Sequence, residues 1–179
     1  SEVEKLIEDI ERIIRTLAEE VRRHDEDARR VLEDLARKVR KHNEDVKKVL
    51  EDLRESDRDR KFIKEVLERL RKTSEELKRE LEEVLRRLRE SSKELKRKLR
   101  EVLKEIKRRA KKLEKDDTSS EEMKERLRRM LKRAEDELRR LEEENDRVVE
   151  RLERELRRLT EDNKRTLKKI EEDLRRREK

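Results

Sequence analysis

The two histidines of the chain, His24 and His42, are the side chains with the widest range of possible chemistry. Histidine titrates close to neutral pH, so it can act as a general base, a metal ligand or a pH-sensitive group. Both occupy the same place in an internal repeat. VRRHDEDARRVLEDLARK, residues 21–38, is followed by VRKHNEDVKKVLEDLRES, residues 39–56, with ten of 18 positions identical. The repetition indicates that the two histidines perform the same local task.

Serine, threonine and asparagine recur at the same spacing of 18 residues in the later parts of the chain. Their side chains can donate and accept hydrogen bonds, and a serine next to a histidine is a possible nucleophile–base pair. No Gly-rich turn accompanies them, because the chain contains no Gly. The residues concerned are Thr73 with Ser74, Ser91 with Ser92, and Asn145 with Asn163.

A metal site is a second possibility, and the spacing argues against it. Two histidines that are 18 residues apart on one helix are separated by about 27 Å, so they cannot share a metal ion. The chain has no Cys, and we expect no inward-facing carboxylate beside either histidine. Each site would then have too few ligands for tetrahedral zinc. We therefore expect no catalytic residue, no metal site and no cofactor.

Composition and apolar periodicity predict the elements that carry these side chains. The chain is 62% charged and 28% hydrophobic, with no Gly, Pro, Cys, Trp or Tyr, and it is rich in the strong helix formers Leu, Glu, Lys and Arg. Apolar residues recur at helical spacing, except in residues 54–61 and 114–122, which contain none. We expect an all-α chain that forms a single domain. Its helices are expected at about residues 2–55, 58–114 and 119–177.

The ends of the expected helices carry residues that favour helix initiation. Ser and Asp are preferred N-caps, and a Glu three positions after a Ser can complete a capping box. Two pairs have this spacing, Ser1 with Glu4 and Ser119 with Glu122. The candidate caps of the second helix are Ser56, Asp57 and Asp59. The apolar stripes between these ends are expected to include Val31, Phe62 and Leu174.

The 18-residue period also predicts the form of the helices. Eighteen residues make five turns at 3.6 residues per turn, so an apolar stripe with this period runs parallel to the helix axis. A heptad period would instead impose a left-handed supercoil. Two short loops would turn the chain back twice. We predict a single-chain antiparallel up-down-up three-helix bundle of long straight helices.

Folding the chain at loops centred near residues 57 and 117 brings the repeated polar residues to two common levels. An unpaired buried polar group costs about 1–3 kcal/mol, so a helix that slipped by one turn would be penalised. Such layers would select helix register rather than add much net stability. One predicted layer consists of His24, Ser91, Ser92 and Asn145. The other consists of His42, Thr73, Ser74 and Asn163.

A histidine in such a layer predicts a pH dependence. If it is buried in the neutral form, its pKa lies below the ordinary value of about 6.5. The stability that it contributes is present at neutral pH and is lost as the pH falls through the unfolded-state pKa. We therefore expect the protein to be less stable at about pH 5 than at about pH 7.5.

The net charge of +7 is concentrated in residues 93–112, which contain 11 basic and 3 acidic residues. In the predicted bundle this segment lies beside residues 1–20, which contain 7 acidic and 3 basic residues, so we expect interhelical ion pairs. Nucleic-acid binding would be non-specific and sensitive to salt, because no aromatic platform accompanies the charge. We expect no membrane association, since the apolar stripes are needed for the core. We see no targeting signal, and the composition is compatible with a soluble chain expressed in the cytoplasm.

The repeated VLEDL and ELKR segments, the DDTSSEE loop and the absence of Gly and Pro resemble computationally designed helical bundles. The recurring His, Ser and Asn are similar to the buried hydrogen-bond networks of that class. The 18-residue period resembles its untwisted three-helix type. The resemblance implies a stable scaffold without an evolved activity. Because each helix has one apolar stripe, little apolar surface remains for a second interface, so we expect a monomer without a partner.

Two other interpretations remain open. In the first, the same stripes pair between chains, as in a homo-oligomer or a complex with a designed partner chain. In the second, the chain is a binding module, either a basic rod for polyanions or a spectrin-like spacer. Spectrin-type repeats resemble the predicted architecture, but their helices are shorter and supercoiled.

Overall fold

Three long helices make up most of the chain. The structure, a computed structural model, describes residues 1–55, 59–116 and 118–177. The helices are α1 (Glu2–Glu55), α2 (Arg60–Glu114) and α3 (Glu121–Arg177), and no strand occurs within those ranges. The all-α three-helix prediction is confirmed. The expected start of the second helix at residue 58 lies outside the described residues, and α3 begins two residues later than expected.

Polar side chains cap the first turn of each helix. The Ser1 hydroxyl oxygen accepts a hydrogen bond from the Glu4 amide at 3.3 Å, as predicted. The Asp59 carboxylate accepts one from the Lys61 amide at 3.4 Å, so Asp59 caps α2; the other candidates, Ser56 and Asp57, lie outside the described residues. These contacts satisfy amides that have no partner inside the helix.

The predicted cap of α3 is wrong by one residue. The Ser120 hydroxyl, and not that of Ser119, accepts from a backbone amide, that of Met123 at 3.2 Å. The sequence offers two adjacent serines with equal capping ability, and the path of the preceding loop decides between them. In that loop the Asp116 carboxylate accepts from the Thr118 amide at 3.2 Å.

The chain divides into two compact units. Unit 1 comprises Ser1–Ala28 and Leu88–Glu150, and unit 2 comprises Arg29–Arg87 and Arg151–Lys179. Each unit contains a stretch of all three helices. Each therefore has its own apolar core, and each contains one of the two predicted polar layers.

The core of unit 1 is built from two clusters of buried apolar side chains that come from all three helices. One cluster consists of Val3, Leu6, Ile10, Ile106, Ala110, Leu127, Met130 and Ala134. The other consists of Leu17, Val21, Leu99, Leu138 and Leu141. In unit 2 a cluster of the same kind consists of Val46, Leu67 and Ile170.

The burial pattern corrects two of the predicted stripe positions. Val31 is 46% exposed and its neighbour Leu32 is 4% exposed, because adjacent helical residues point about 100° apart and only one can face the core. Phe62, in the first turn of α2, is 39% exposed. The side chain of Leu174 lies outside the described set.

Ion pairs define the helix directions inside unit 1. Asp9 pairs with Arg109, and Glu20, further along α1, pairs with Lys98, further back along α2. Helices α1 and α2 are therefore antiparallel, as predicted.

Helices α2 and α3 of unit 1 are antiparallel by the same test. Arg100 pairs with Glu142, and Lys107, further along α2, pairs with Glu135, further back along α3.

In the part of the chain that is described, none of the helices has a stretch long and apolar enough to cross a membrane.

Candidate functional site

Five polar side chains from three helices meet in the interior of unit 1, and we call them layer 1. His24 and Asp25 come from α1, Ser91 and Ser92 from α2, and Asn145 from α3. Asn145 is fully buried, and Asp25 and Ser92 are only 4% and 5% exposed. Burial of this many polar atoms is tolerated only if each atom finds a hydrogen-bond partner.

Helical spacing explains how α1 presents an acidic side chain to this layer. Val21, Asp25 and Ala28 stand at positions i, i+4 and i+7, which form one face of a helix, and all three are buried. His24 lies at the edge of that face, and its side chain is 18% exposed. Asp25 therefore occupies a core position of the apolar stripe.

The amide of Asn145 connects the layer. Its oxygen accepts a hydrogen bond from the Ser92 hydroxyl. Its nitrogen donates to Asp25 Oδ1 at 3.0 Å and to His24 Nδ1 at 3.0 Å. A primary amide has two N–H donors and one oxygen, so its donors are fully used and its oxygen is paired. Within the described residues, no buried side-chain nitrogen or oxygen lacks a partner.

The hydrogen-bond pattern also determines the tautomer of His24. The amide nitrogen of Asn145 faces Asp25, because it donates to Asp25 Oδ1. That nitrogen then donates to His24 Nδ1, which must be unprotonated. The ring proton is therefore on Nε2, which donates to the Ser91 oxygen at 2.7 Å. The Ser91 hydroxyl in turn donates to the Leu88 carbonyl at 3.0 Å.

Ser91, His24 and Asp25 are the residue types of a hydrolytic triad, but their hydrogen bonds run in the opposite direction. In a catalytic triad, the histidine Nε2 accepts the proton of the serine hydroxyl and Nδ1–H donates to the acid. Here His24 Nε2 donates to Ser91, and His24 Nδ1 lies 3.7 Å from the Asp25 oxygen, with the Asn145 amide as its donor. Ser91 is therefore not activated by His24 in this structure.

The second layer, which we call layer 2, lies in unit 2 and is less connected. His42 Nε2 is 2.8 Å from the Ser74 hydroxyl oxygen, between α1 and α2. The Asn163 amide donates to the Asn43 oxygen at 2.7 Å, between α3 and α1. All four side chains are half-buried. Layer 2 thus consists of two hydrogen-bonded pairs rather than one network.

Thr73 departs from the predicted layer. Its side chain is exposed, and its hydroxyl donates to the Arg69 carbonyl of its own helix at 3.0 Å. Thr73 and Ser74 point about 100° apart on α2, so only one of them faces α1. A threonine inside a helix commonly satisfies its hydroxyl by bonding back to the preceding turn.

The two layers also differ in which serine meets the histidine. His24 bonds to Ser91, whose repeat equivalent is Thr73. His42 bonds to Ser74, whose repeat equivalent is Ser92. The contact between α1 and α2 therefore differs by one residue between the units, and the layers are related in sequence without being copies in structure.

The sequence reasoning missed Asp25 and Asn43, which directly follow the two histidines. The expectation of no inward-facing carboxylate is wrong for Asp25. The available signal was the i, i+4, i+7 spacing of Val21, Asp25 and Ala28. Because charged residues are rarely buried without a partner, the residue type favoured a surface position for Asp25.

Burial affects the titration of His42. It lowers the pKa of the His42 imidazole below its ordinary value, and the carboxylate of Asp45 opposes part of that effect. The neutral imidazole is therefore favoured in the folded state more than in an exposed histidine.

The described residues do not bring together the ligands of a metal ion. Across residues 1–55, 59–116 and 118–177, no three His, Cys, Asp or Glu side chains form a group that could hold a metal.

Five of the 11 basic residues in segment 93–112 form ion pairs with other helices. The segment contacts α1 through Lys98 with Glu20 and through Arg109 with Asp9. It contacts α3 through three further pairs. These are Lys96 with Asp146, Arg100 with Glu142, and Lys107 with Glu135. The partners on α1 lie in the predicted acidic segment 1–20, and those on α3 were not predicted.

Comparisons with known proteins find similarity to solved structures alone. No family model matches the chain, and no curated protein matches it. Two solved chains match. One of them is described as a "Computationally designed three helix bundle"; it is 19% identical, with a TM-score of 0.47, over 98% of this chain and 90% of that chain.

Proposed function

We propose that this chain is a de novo designed structural scaffold whose buried polar layers specify helix register, without a natural biochemical activity. The observation that carries the proposal is the position of Asn145. It is fully buried and is hydrogen-bonded to side chains of both other helices. No catalytic, cofactor or metal role is proposed for any residue of the layers.

The energetics of layer 1 support a role in specificity rather than in net stability. A buried hydrogen bond contributes about 1 kcal/mol net, whereas a buried polar group that loses its partner costs about 1–3 kcal/mol. A slip of one helix by a turn would move its side chains by about 5.4 Å. Several groups of layer 1 would then face leucine, so the correct register is favoured mainly by the penalty on the alternatives.

The sequence supports a designed origin. The absence of Gly and Pro in 179 residues differs from natural usage of about 7% and 5%. Three pairs of 18-residue segments repeat along the chain, one in each helix. The histidines His24 and His42, the asparagines Asn145 and Asn163 and the serines Ser74 and Ser92, which recur in these segments, belong to layers 1 and 2.

The alternative of a basic rod for polyanions is less well supported by the surface of α2. Five cations of segment 93–112 are paired with carboxylates of α1 or α3. Paired cations have less charge available for phosphate groups, so we propose only weak, salt-sensitive binding. A role as a component of an oligomer has no specific observation in its favour.

The experiment removes the polar character of layer 1 and follows helix register. The apolar variant carries His24→Leu, Asp25→Ala, Ser92→Ala and Asn145→Leu. We expect an unfolding free energy equal to or above that of the parent chain, because apolar replacement of a buried polar network is often neutral or stabilising. We expect helix register to become heterogeneous.

Register is measured by spin-label distances between α1 and α2. Labels at Glu11→Cys and Lys104→Cys, both exposed, should give one narrow distance in the parent and a broadened or double distribution in the apolar variant. The matched control replaces Leu17 and Leu138 by Ile, which changes the core without touching the layer, and it should keep one distance. An apolar variant with the parent's single distance would contradict the proposal.

A further inference from the structure

A cavity of about 320 Å³ opens between α2 and α3 in unit 2. Four of its lining side chains are apolar, and two polar side chains of layer 2, Ser74 and Asn163, line it as well. The four apolar residues are Val39, Leu77, Leu81 and Leu167. The other six lining residues are polar or charged, so the cavity combines an apolar floor with a polar and charged rim, a combination that suits an amphipathic small molecule.

The internal repeat shows how the charges at this cavity differ from those at the equivalent positions of unit 1. In unit 1, Lys96 of α2 pairs with Asp146 of α3. Eighteen residues away, the equivalent positions in unit 2 are Lys78 and Lys164, and both line the cavity. A carboxylate in one repeat is thus replaced by an ammonium group in the other.

The two lysines stand at matching levels of their helices. Arg71 of α2 pairs with Glu171 of α3 in unit 2. Lys78 is seven residues later on α2, and Lys164 is seven residues earlier on antiparallel α3. The same relation connects the paired residues Lys96 and Asp146. Lys78 and Lys164 therefore lie at matching levels on opposite sides of the cavity, and both side chains are exposed.

Among the ion pairs of the described residues, none involves Lys78 or Lys164. Glu75 and Glu161 also line the cavity, each three residues before one of the lysines, and neither forms an ion pair with it. Thr160 replaces the repeat-equivalent Glu142, which pairs with Arg100 in unit 1.

We propose that this cavity binds a small amphipathic carboxylate, such as a medium-chain fatty acid. The carboxylate head lies between the ammonium groups of Lys78 and Lys164. It pairs with them as the Asp146 carboxylate pairs with Lys96 in unit 1. The hydrocarbon tail covers the apolar residues on the floor. This inference does not depend on the proposed role of the polar layers.

The chemistry of the site selects both ends of the ligand. A carboxylate between two ammonium groups accepts charge-assisted hydrogen bonds and removes the repulsion between like charges. The tail removes apolar surface from water, which favours binding. For octanoate, with about ten non-hydrogen atoms, these contributions correspond to a Kd on the order of 1 mM.

The test titrates sodium octanoate into the full chain and follows the side-chain NMR signals of Asn163 and the ring signals of His42. We expect saturable shifts with one site per chain. Acetate has no tail and octylamine has a cationic head, so both are expected to bind at least about fivefold more weakly. Equal binding of octanoate and octylamine would overturn the proposal, because the lysines would then play no part.

Two charge variants locate the site. Lys164→Asp restores the ion pair of the other repeat and is expected to weaken octanoate binding by about fivefold or more. Lys169→Asp makes the same charge change at an exposed position outside the cavity and should leave the Kd unchanged. If either aspartate variant loses helicity, Lys164→Gln and Lys169→Gln replace the pair. Equal Kd values for the two variants would place octanoate elsewhere and would refute the site.

Discussion

Asp25 and Asn43 occupy the same repeat position, and the difference between a carboxylate and an amide separates the two layers. Asp25 only accepts hydrogen bonds, so it orients Asn145, which in turn sets the tautomer of His24. Asn43 can both donate and accept, so it places no such restriction on Asn163. One carboxylate in place of an amide therefore gives layer 1 a defined direction of hydrogen bonding that layer 2 lacks.

Removing the carboxylate should destabilise unit 1. Asp25→Ala leaves an N–H group of the fully buried Asn145 without its acceptor, at an expected cost of about 1–3 kcal/mol in unfolding free energy. Denaturant unfolding monitored by circular dichroism measures the change. The control Asp27→Ala alters an exposed acidic residue in the same turn and should stay within about 0.5 kcal/mol. A similar loss in both variants would remove the special role of Asp25.

His42 should make stability depend on pH in a defined direction. Burial lowers its pKa in the folded state, so the unfolded state binds the proton more readily. The contribution of His42 is complete above the unfolded-state value of about 6.5 and is lost as the pH falls from there towards the lower folded-state pKa. A comparison of the parent chain with His42→Gln cancels the contribution of carboxylates that titrate in both.

The measurement is the denaturation midpoint of both chains at about pH 7.5 and pH 5.5. We expect the midpoint of the parent to fall by more than that of His42→Gln over this interval. An NMR titration of the His42 ring supplies the folded-state pKa independently. Parallel midpoints, or a ring pKa at or above the ordinary value, would show that burial does not control this group.

At the scale of the elements, the helices combine strong intrinsic preference with local caps. The residue types of α1, α2 and α3 favour the helix throughout, so the ends are determined by the residues that satisfy free amides. Ser120 performs this task for α3, and the adjacent Ser119 does not. The pair offers a comparison in which only the position of the hydroxyl differs.

Ser120→Ala should reduce the unfolding free energy by about 1 kcal/mol, because the Met123 amide loses its acceptor at the first turn of α3. Ser119→Ala removes the same atom one residue earlier and should change stability by less than about 0.5 kcal/mol. Chemical denaturation of the two single variants decides between them. A larger loss for Ser119→Ala would restore the cap that the sequence pattern predicted.

At the scale of the whole molecule, the apolar stripes of the three helices are used inside each unit. Buried clusters in both units draw on every helix. The described helices leave Val31 and Phe62 as the large apolar side chains that are exposed. Stable protein interfaces usually need about 800 Å² from each partner with an apolar centre, which these two residues alone do not supply.

We therefore expect a monomer in solution. Sedimentation equilibrium should give a mass of 22.3 kDa that is independent of protein concentration from about 10 μM to about 1 mM, a range that would reveal even a weak dimer. A mass that rises with concentration would support the alternative in which the stripes pair between chains.

The sequence alone predicted the three helices and their antiparallel order. These predictions succeeded because strong helix formers and apolar residues at helical spacing favour three helices that share a core. The 18-residue repeat also placed His24, Ser91, Ser92 and Asn145 at one level, where the structure joins them by hydrogen bonds. Adjacent candidates could not be separated in this way. Ser119 and Ser120, Thr73 and Ser74, and Val31 and Leu32 differ by one step along a helix or loop.

Only the tertiary structure decided whether Thr73 or Ser74, and Val31 or Leu32, faces inward, because that choice depends on the rotation of one helix against its neighbours. The path of the loop decided between Ser119 and Ser120. It also decided that Asp25 is buried, since the cost of burying a carboxylate is offset only when a partner such as Asn145 is in place. The cavity beside Lys78 and Lys164 likewise results from the packing of the helices and could not be predicted from the sequence pattern. Periodicity determines the faces of a helix, and packing determines what each face meets.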